Sequence, residues 1–421
     1  MQSGLAIERQ RPAGFSFCRQ KIMFHSDQYK SLDVAEQVGN CFRINRYESK
    51  RMSLPDYRSL GRSGLVVSPL ALGTMTFGTA RWGSSEDGSR AIFNAYVDAG
   101  GNFIDTADVY SGGRSEEMIG KFVAERGLRD QVVVATKAGF ATGKGLLSGG
   151  NGAKHLHAAL DGSLRRLQTD YVDLFWLHVW DQVTPAEELL QTMADLVRSG
   201  KIRYWGLSNA PAWYVAKIAT LAMLRGAPGP IALQYFYSLV DRTIEDEHVP
   251  LAHEFGMGIL PWSPLAYGLL TGKYDRATVE AASPRSGGLP RDAATVSEAR
   301  GDDDKRLDGA NPFGDTLFTE RNWAIVDGLC KVAAEIGESP ARVALSWVAG
   351  RPGITSMLMG VSRAEQVADN AAALGVVLAA EHRAALDAIS APPLRMLYSL
   401  FTPDMRRQVV FGGRSVLPWS G

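Results

Sequence analysis

Asp105, Tyr110, Lys137 and His178 are the residues of this chain best suited to do chemistry together. Each stands where an apolar, β-like run gives way to loop: Phe103-Ile104-Asp105 leading to Tyr110, Val132-Val133-Val134-Ala135-Thr136-Lys137, and Leu174-Phe175-Trp176-Leu177-His178. In a barrel of parallel strands, side chains at the strand ends converge on one mouth. A carboxylate, a phenol, an ammonium and an imidazole meeting there suit proton donation to a carbonyl. When hydride attacks such a carbonyl, negative charge grows on its oxygen, and a positioned donor lowers the barrier. Tyr110 is the natural donor, although a free phenol titrates near pH 10, approximately. A lysine ammonium about 4 Å away, in an effective dielectric near 20, is worth roughly 4 kcal/mol, or about three pKa units. Asp105 offsets part of that field while holding Lys137 charged and in place, and His178 would orient the substrate oxygen. Taken singly, each has a plainer reading: a turn cap, a loop aromatic, a solvated strand end and a satisfied core histidine. Their recurrence at three successive strand ends favours the shared site.

The segment Gly101-Asn102-Phe103-Ile104-Asp105-Thr106-Ala107-Asp108-Val109-Tyr110, followed by Ser115-Glu116 and Gly120, closely resembles the signature of the aldo-keto reductase family. That family carries an Asp, Tyr, Lys, His tetrad in this order, and the resemblance runs from about Tyr57 to Ala391. It implies a single-domain (β/α)8 TIM barrel. It also implies NAD(P)H-dependent reduction of an aldehyde or ketone.

The rhythm of the chain agrees with such a barrel. Strands are expected near Leu70 to Gly73, Phe103 to Asp105, Val132 to Thr136, Leu174 to Leu177, Trp205 to Leu207, Ala232 to Gln234, Gly258 to Pro261 and Ser356 to Met359. Helical periodicity fills the intervals, as over Ser89 to Ala99, Ala158 to Leu167 and Glu187 to Arg198. Alternating β and α segments of this kind make parallel sheets, and eight strands favour a closed barrel over an open one. No strand is followed by the glycine fingerprint of a Rossmann crevice.

Cofactor residues are expected along the second half. By the resemblance, Ser208, Asn209 and Gln234 hydrogen-bond the nicotinamide carboxamide, which needs both donors and acceptors; the alternative is that Ser208 and Asn209 cap the next helix. The same resemblance implies that Trp262 lies against the nicotinamide face, while Ser263, Leu265 and Gly268 border the pyrophosphate. Gly268 to Lys273 superficially looks like a P-loop, but its glycines are one residue too close, and Tyr274 replaces the magnesium-binding hydroxyl. Gly360 opens the turn after the eighth strand, a common phosphate site in such barrels. Ser362 and Arg363 there would hold the 2′-phosphate of NADP, and the resemblance implies that Gln366 and Asn370 face the adenine. Many relatives carry a basic residue where Gln366 stands. NADP is nevertheless expected over NAD. Read alone, Arg363 is a solvated charge at a helix start.

The remaining features bound the function. Lys plus Arg and Asp plus Glu balance at 45 each, giving no field for nucleic acid or anionic lipid. The three cysteines, Cys18, Cys41 and Cys330, show neither a disulfide framework nor metal spacing, which points to a reducing, cytoplasmic setting. Apolar runs stop short of a membrane span. Residues 1–51 are polar and aperiodic, and read as an N-terminal extension, either disordered or the product of a mis-assigned start, ahead of a barrel over 52–421. Met52 to Arg58 resembles an ordinary start for the family. The long, Gly- and Pro-rich connection from about Tyr274 to Thr319, leaving the seventh strand, is expected to be a lid over the cofactor. Trp82, Tyr110, Trp180 and the Phe401 to Trp419 segment offer aromatic lining for a hydrophobic or sugar-like carbonyl compound. The resemblance leaves one other role open, that of an NADP-binding regulatory subunit similar to potassium-channel β subunits; partner proteins stay unknown.

Overall fold

The computed structural model describes residues 52–79, 82–274, 276, 307, 317–393 and 395–416. Residues 1–51 and most of the connection expected to form a lid lie outside that set.

Eight short parallel strands form the centre: β1 (Leu70–Gly73), β2 (Phe103–Asp105), β3 (Val133–Ala138), β4 (Val172–Leu177), β5 (Ile202–Ser208), β6 (Ala232–Phe236), β7 (Gly258–Trp262) and β8 (Met357–Gly360). They pair in chain order, with β8 against β1. The last seam closes just ahead of β8. There Ile259 bridges Ile354, donating its N–H to the Gly353 carbonyl at 3.0 Å and accepting from the Thr355 N–H at 3.0 Å. The result is the expected (β/α)8 barrel.

Helices occupy the intervals: α1 (Glu86–Asp98), α2 (Arg114–Glu125), α3 (Ala153–Leu167), α4 (Ala186–Arg198), α5 (Ala212–Arg225) and α6 (Ile244–Phe255), then α7 (Glu320–Ile336), α8 (Pro340–Ala349), α9 (Glu365–Ala372) and α10 (Ala380–Ile389). Several begin on sequence signals. Ser85 accepts from the Gly88 N–H at 3.2 Å at the start of α1, and Ser339 accepts from the Arg342 N–H at 3.3 Å, with Pro340 opening α8. Such caps satisfy amides that the first helical turn leaves without partners. Their apolar faces bury Ile92, Phe93, Leu156, Leu189 and Val215 against the outside of the barrel.

The barrel interior is a separate cluster. Phe103, Val133, Leu174, Trp176, Leu260 and Leu358 point inward, and Leu60, Leu65 and Val67 from an N-terminal hairpin pack with them. That hairpin pairs Arg58–Ser59 with Val66–Val67. Gly61, in its turn, sits so close to the barrel that a Cβ would stand 2.6 Å from the carbonyls of Ile231 and Gly256. The hairpin thus plugs the amino-terminal end of the barrel and leaves the opposite mouth for the site.

Candidate active site

Alternation along the strands delivers the polar residues to that mouth. Side chains two apart on a strand share a face. Phe103 and Asp105 therefore both point inward, as do Val133, Ala135 and Lys137, and the same parity on β4 continues from Leu174 and Trp176 toward His178. The lower members are apolar core and the upper members are chemistry. Lys137 is not beyond its strand, as the sequence suggested, but is the penultimate residue of β3, fully buried and paired in register with Trp176. Hydrogen bonding carries β3 that far.

Lys137 Nζ donates to Asp105 Oδ1, to the Thr106 carbonyl at 2.8 Å and to the Tyr110 hydroxyl at 3.3 Å. Burial opposes its charge, but Asp105 and then Tyr110 outweigh burial and hold the ammonium above its ordinary range. The second Asp105 oxygen accepts from Gln234 Nε2 at 3.1 Å. Asp105 is thus pinned from both sides, yet burial still holds its carboxyl above the usual carboxylate range against the pull of Lys137 and Gln234. Tyr110 opens a tight turn over 110–113 whose Ser111 and Gly112 both have positive φ, so the phenol is presented from a bend rather than a regular helix.

The Tyr110 and His178 rings meet edge to face with centroids 5.9 Å apart. Burial, assisted by the Lys137 charge, pushes the His178 pKa well below its usual value. His178 is therefore a neutral imidazole, able to donate an N–H without adding charge. Its carbonyl accepts from Asn209 Nδ2 at 2.9 Å, which ties β5 to the site.

The expected cofactor residues line the same end. Ser208 and Gln234 are buried, and Gln234 lies in the middle of β6 rather than at its end. Neither Ser208 nor Asn209 caps α5, whose N-cap is Pro211 with no side-chain cap, so the capping alternative fails. Asn209 adopts φ +49 and bridges neighbours: its Nδ2 also donates to Ser208 Oγ at 3.0 Å, and its Oδ1 accepts from Trp262 Nε1 at 3.2 Å. Trp262 in turn packs against Phe236, with ring centroids 4.9 Å apart. After β7, Ser263, Ala266, Tyr267 and Gly268 all have positive φ, with Leu265 between them. Successive turns of this kind can aim backbone amides at an anion. Past β8, Gln366 Oε1 accepts from the N–H groups of Ser362, at 2.9 Å, and Arg363, at 3.2 Å, while the Arg363 side chain is exposed. Gly360 ends β8 in open space, and Asn370 lies one turn along α9 from Gln366.

A family model described as the Aldo/keto reductase family matches residues 69–391. The chain belongs to the aldo/keto reductase family. Among its relatives is a rice (Oryza sativa subsp. japonica) protein named "Probable voltage-gated potassium channel subunit beta", 37% identical over 76% of this chain and 92% of the relative. An uncharacterized oxidoreductase of Bacillus subtilis (strain 168) is 35% identical over 77% of this chain and 92% of its own length. An aryl-alcohol dehydrogenase of Pestalotiopsis microspora is 39% identical over 51% of this chain and 58% of its own. Membership, with oxidoreductases among the relatives, supports carbonyl reduction in general, in a family that generally uses a nicotinamide cofactor.

Three features of this aldo/keto reductase escape a sequence reading. Phe140, just past β3, sets its ring 4.4 Å from that of His178 and stays 42% exposed, forming an open aromatic wall. Its signal, an aromatic three residues beyond Lys137, is too slight to read alone. Trp180, expected near the mouth, is clustered with Trp213 at 5.4 Å and Tyr214 at 5.6 Å, both from α5. Lys273 places Nζ 3.3 Å from where a Gly268 Cβ would stand, bringing a cation to the turn of positive-φ residues. By contrast Phe401 packs on Tyr398, centroids 6.0 Å apart, and no ring contact among the described residues joins it to Tyr110 or His178. Trp82 is half-buried, and Trp419 lies outside the described residues.

Proposed function

We propose that this protein reduces an aldehyde or ketone to the alcohol, with Tyr110 giving the proton. The observation that carries the reading is the buried Lys137, 3.3 Å from the Tyr110 hydroxyl and anchored on Asp105. An ammonium held there favours the phenolate left after proton transfer, so the phenol becomes a better acid. Neutral His178 donates to the same substrate oxygen and fixes its direction. Bound to Ser208, Asn209, Gln234 and Trp262, a reduced nicotinamide would supply the hydride. Lys273 and the turn at 263–268 suit its pyrophosphate. Ser362 and Arg363, beside Gln366 and Asn370, suit the phosphate and adenine of NADP, which is why NADPH is preferred to NADH. Phe140 beside His178, with Trp180 near by, favours a flat, apolar carbonyl compound, in keeping with the aryl-alcohol dehydrogenase among the relatives. The few scattered cysteines fit a cytoplasmic setting. No described helix is long and apolar enough to cross a membrane.

The test is oxidation of NADPH, with NADH in parallel, across aromatic aldehydes, dicarbonyls and sugars. Turnover fastest with aromatic aldehydes and NADPH is the expected result. The rice relative's name favours a second reading, an NADP-binding regulatory subunit. Tight NADPH binding without turnover on any member of the panel would select it and reject the reductase.

A further inference from the structure

Asp108 lies on the loop between Asp105 and Tyr110, and the proposed reaction gives it no part. It is 3% exposed, and neither of its carboxyl oxygens has a hydrogen-bond partner among the described residues. The Val109 N–H favours the charged form, but less than burial and Glu116 oppose it. A carboxylate buried without donors is disfavoured against its protonated form.

The charged groups that face it come from three elements: Glu116 on α2, Arg166 on α3 and Lys137 on β3. Burial and then Glu116 push the carboxyl up, Arg166 and Lys137 oppose them, and the balance lies at about 7. Both cations are already engaged. Arg166 Nε donates to Glu116 at 2.6 Å, and Lys137 is paired with Asp105. The Asp108 N–H donates to the Lys137 carbonyl at 3.1 Å, so the loop cannot carry the carboxyl away without disturbing the strand that holds Lys137.

We propose that Asp108 is a positioning residue that works as a neutral carboxylic acid, leaving Lys137 faced by one carboxylate, Asp105, rather than two. Ionisation releases its proton to solvent and sets a second negative charge near the ammonium. The pull of Lys137 on the Tyr110 phenol then weakens, and proton donation slows as pH rises. The kinetic half of this inference rests on the proposed reaction; the protonation of Asp108 does not.

Infrared difference spectra of the full chain at about pH 6 and about pH 8 test the protonation directly. A protonated-carboxyl C=O band present at the lower pH, diminished at the higher and missing from Asp108→Asn is expected. The same band persisting in Asp108→Asn would overturn the proposal. In turnover assays, wild-type kcat should fall several-fold across that interval with NADPH affinity flat, and Asp108→Asn should lack the fall. A fall retained in Asp108→Asn would show that the acid is not coupled to Lys137. Should the Asn variant fail to fold, Arg166→Gln serves in its place. Removing that cation must move both the band and the kinetic fall to higher pH, and an unmoved band rejects the assignment. A titrating band without turnover would support the buried acid while sinking the proposed reaction.

Discussion

At the scale of single residues, the site separates two demands that water would not satisfy together: a charged lysine and a neutral histidine within reach of one phenol. Asp105 secures the first, and burial secures the second. Tyr110→Phe keeps the ring and removes the proton, so carbonyl reduction should fall by roughly 10² to 10⁴-fold, with NADPH affinity nearly unchanged by fluorescence titration. Undiminished turnover would take the role of proton donor from Tyr110. His178 carries a stability consequence. Its folded pKa is lowered, so below an unfolded pKa of about 6.5 the unfolded chain binds more protons than the folded one, and stability declines as pH falls. Urea midpoints for the wild type should drop between about pH 7 and about pH 5, and His178→Gln should flatten part of that drop. Equal slopes would mean that the imidazole is not held neutral. The four residue types were legible in the sequence because their chemistry is scarce and complementary. Phe140 was not, since one aromatic beyond a strand says nothing until the ring it meets is known.

At the scale of elements, period-two alternation turns three local runs into one polar layer above an apolar one. Gly206 shows how closely the layers fit. It points inward on β5, and a Cβ there would stand 2.4 Å from the Trp176 ring and 2.6 Å from the Ala232 carbonyl. Both neighbours belong to the packed interior and cannot give way cheaply. Gly206→Ala should therefore cost about 1–3 kcal/mol, by the usual toll of overpacking, measured by denaturant titration. An unshifted midpoint would mean that Trp176 is free to move. Strand positions were readable from apolar runs bounded by Gly and Pro, yet β3 to β8 all extend beyond the expected limits. Strand ends are set by the partner's hydrogen bonds, which one segment's sequence does not contain. The start of α1 was likewise expected three residues late, because Glu86, Asp87 and Gly88 are not apolar, although Ser85 caps the helix ahead of them.

At the scale of the whole molecule, closure of the barrel brings β5 to β8 round to the residues of β2 to β4. The bond between Gln234 and Asp105 joins positions 129 residues apart. A ligand bound across that assembly stabilises the folded chain alone. NADPH at about 100 times its dissociation constant should add about 2.7 kcal/mol, read as a rise in thermal midpoint. NADH at the same concentration should add less, and equal rises would remove the preference for NADP. The sequence by itself determined the alternation of strand and helix, the placing of Asp105, Lys137 and His178 near three successive strand ends, and the residue types needed for proton donation, because these are local properties of one chain segment. Only the tertiary structure decided that Lys137 reaches Tyr110 while bound to Asp105, that His178 is neutral, that Phe140 walls the site and that Asp108 is buried with no donor among the described residues. Those depend on distance and on the exclusion of water, which arise when segments far apart in the chain are packed together.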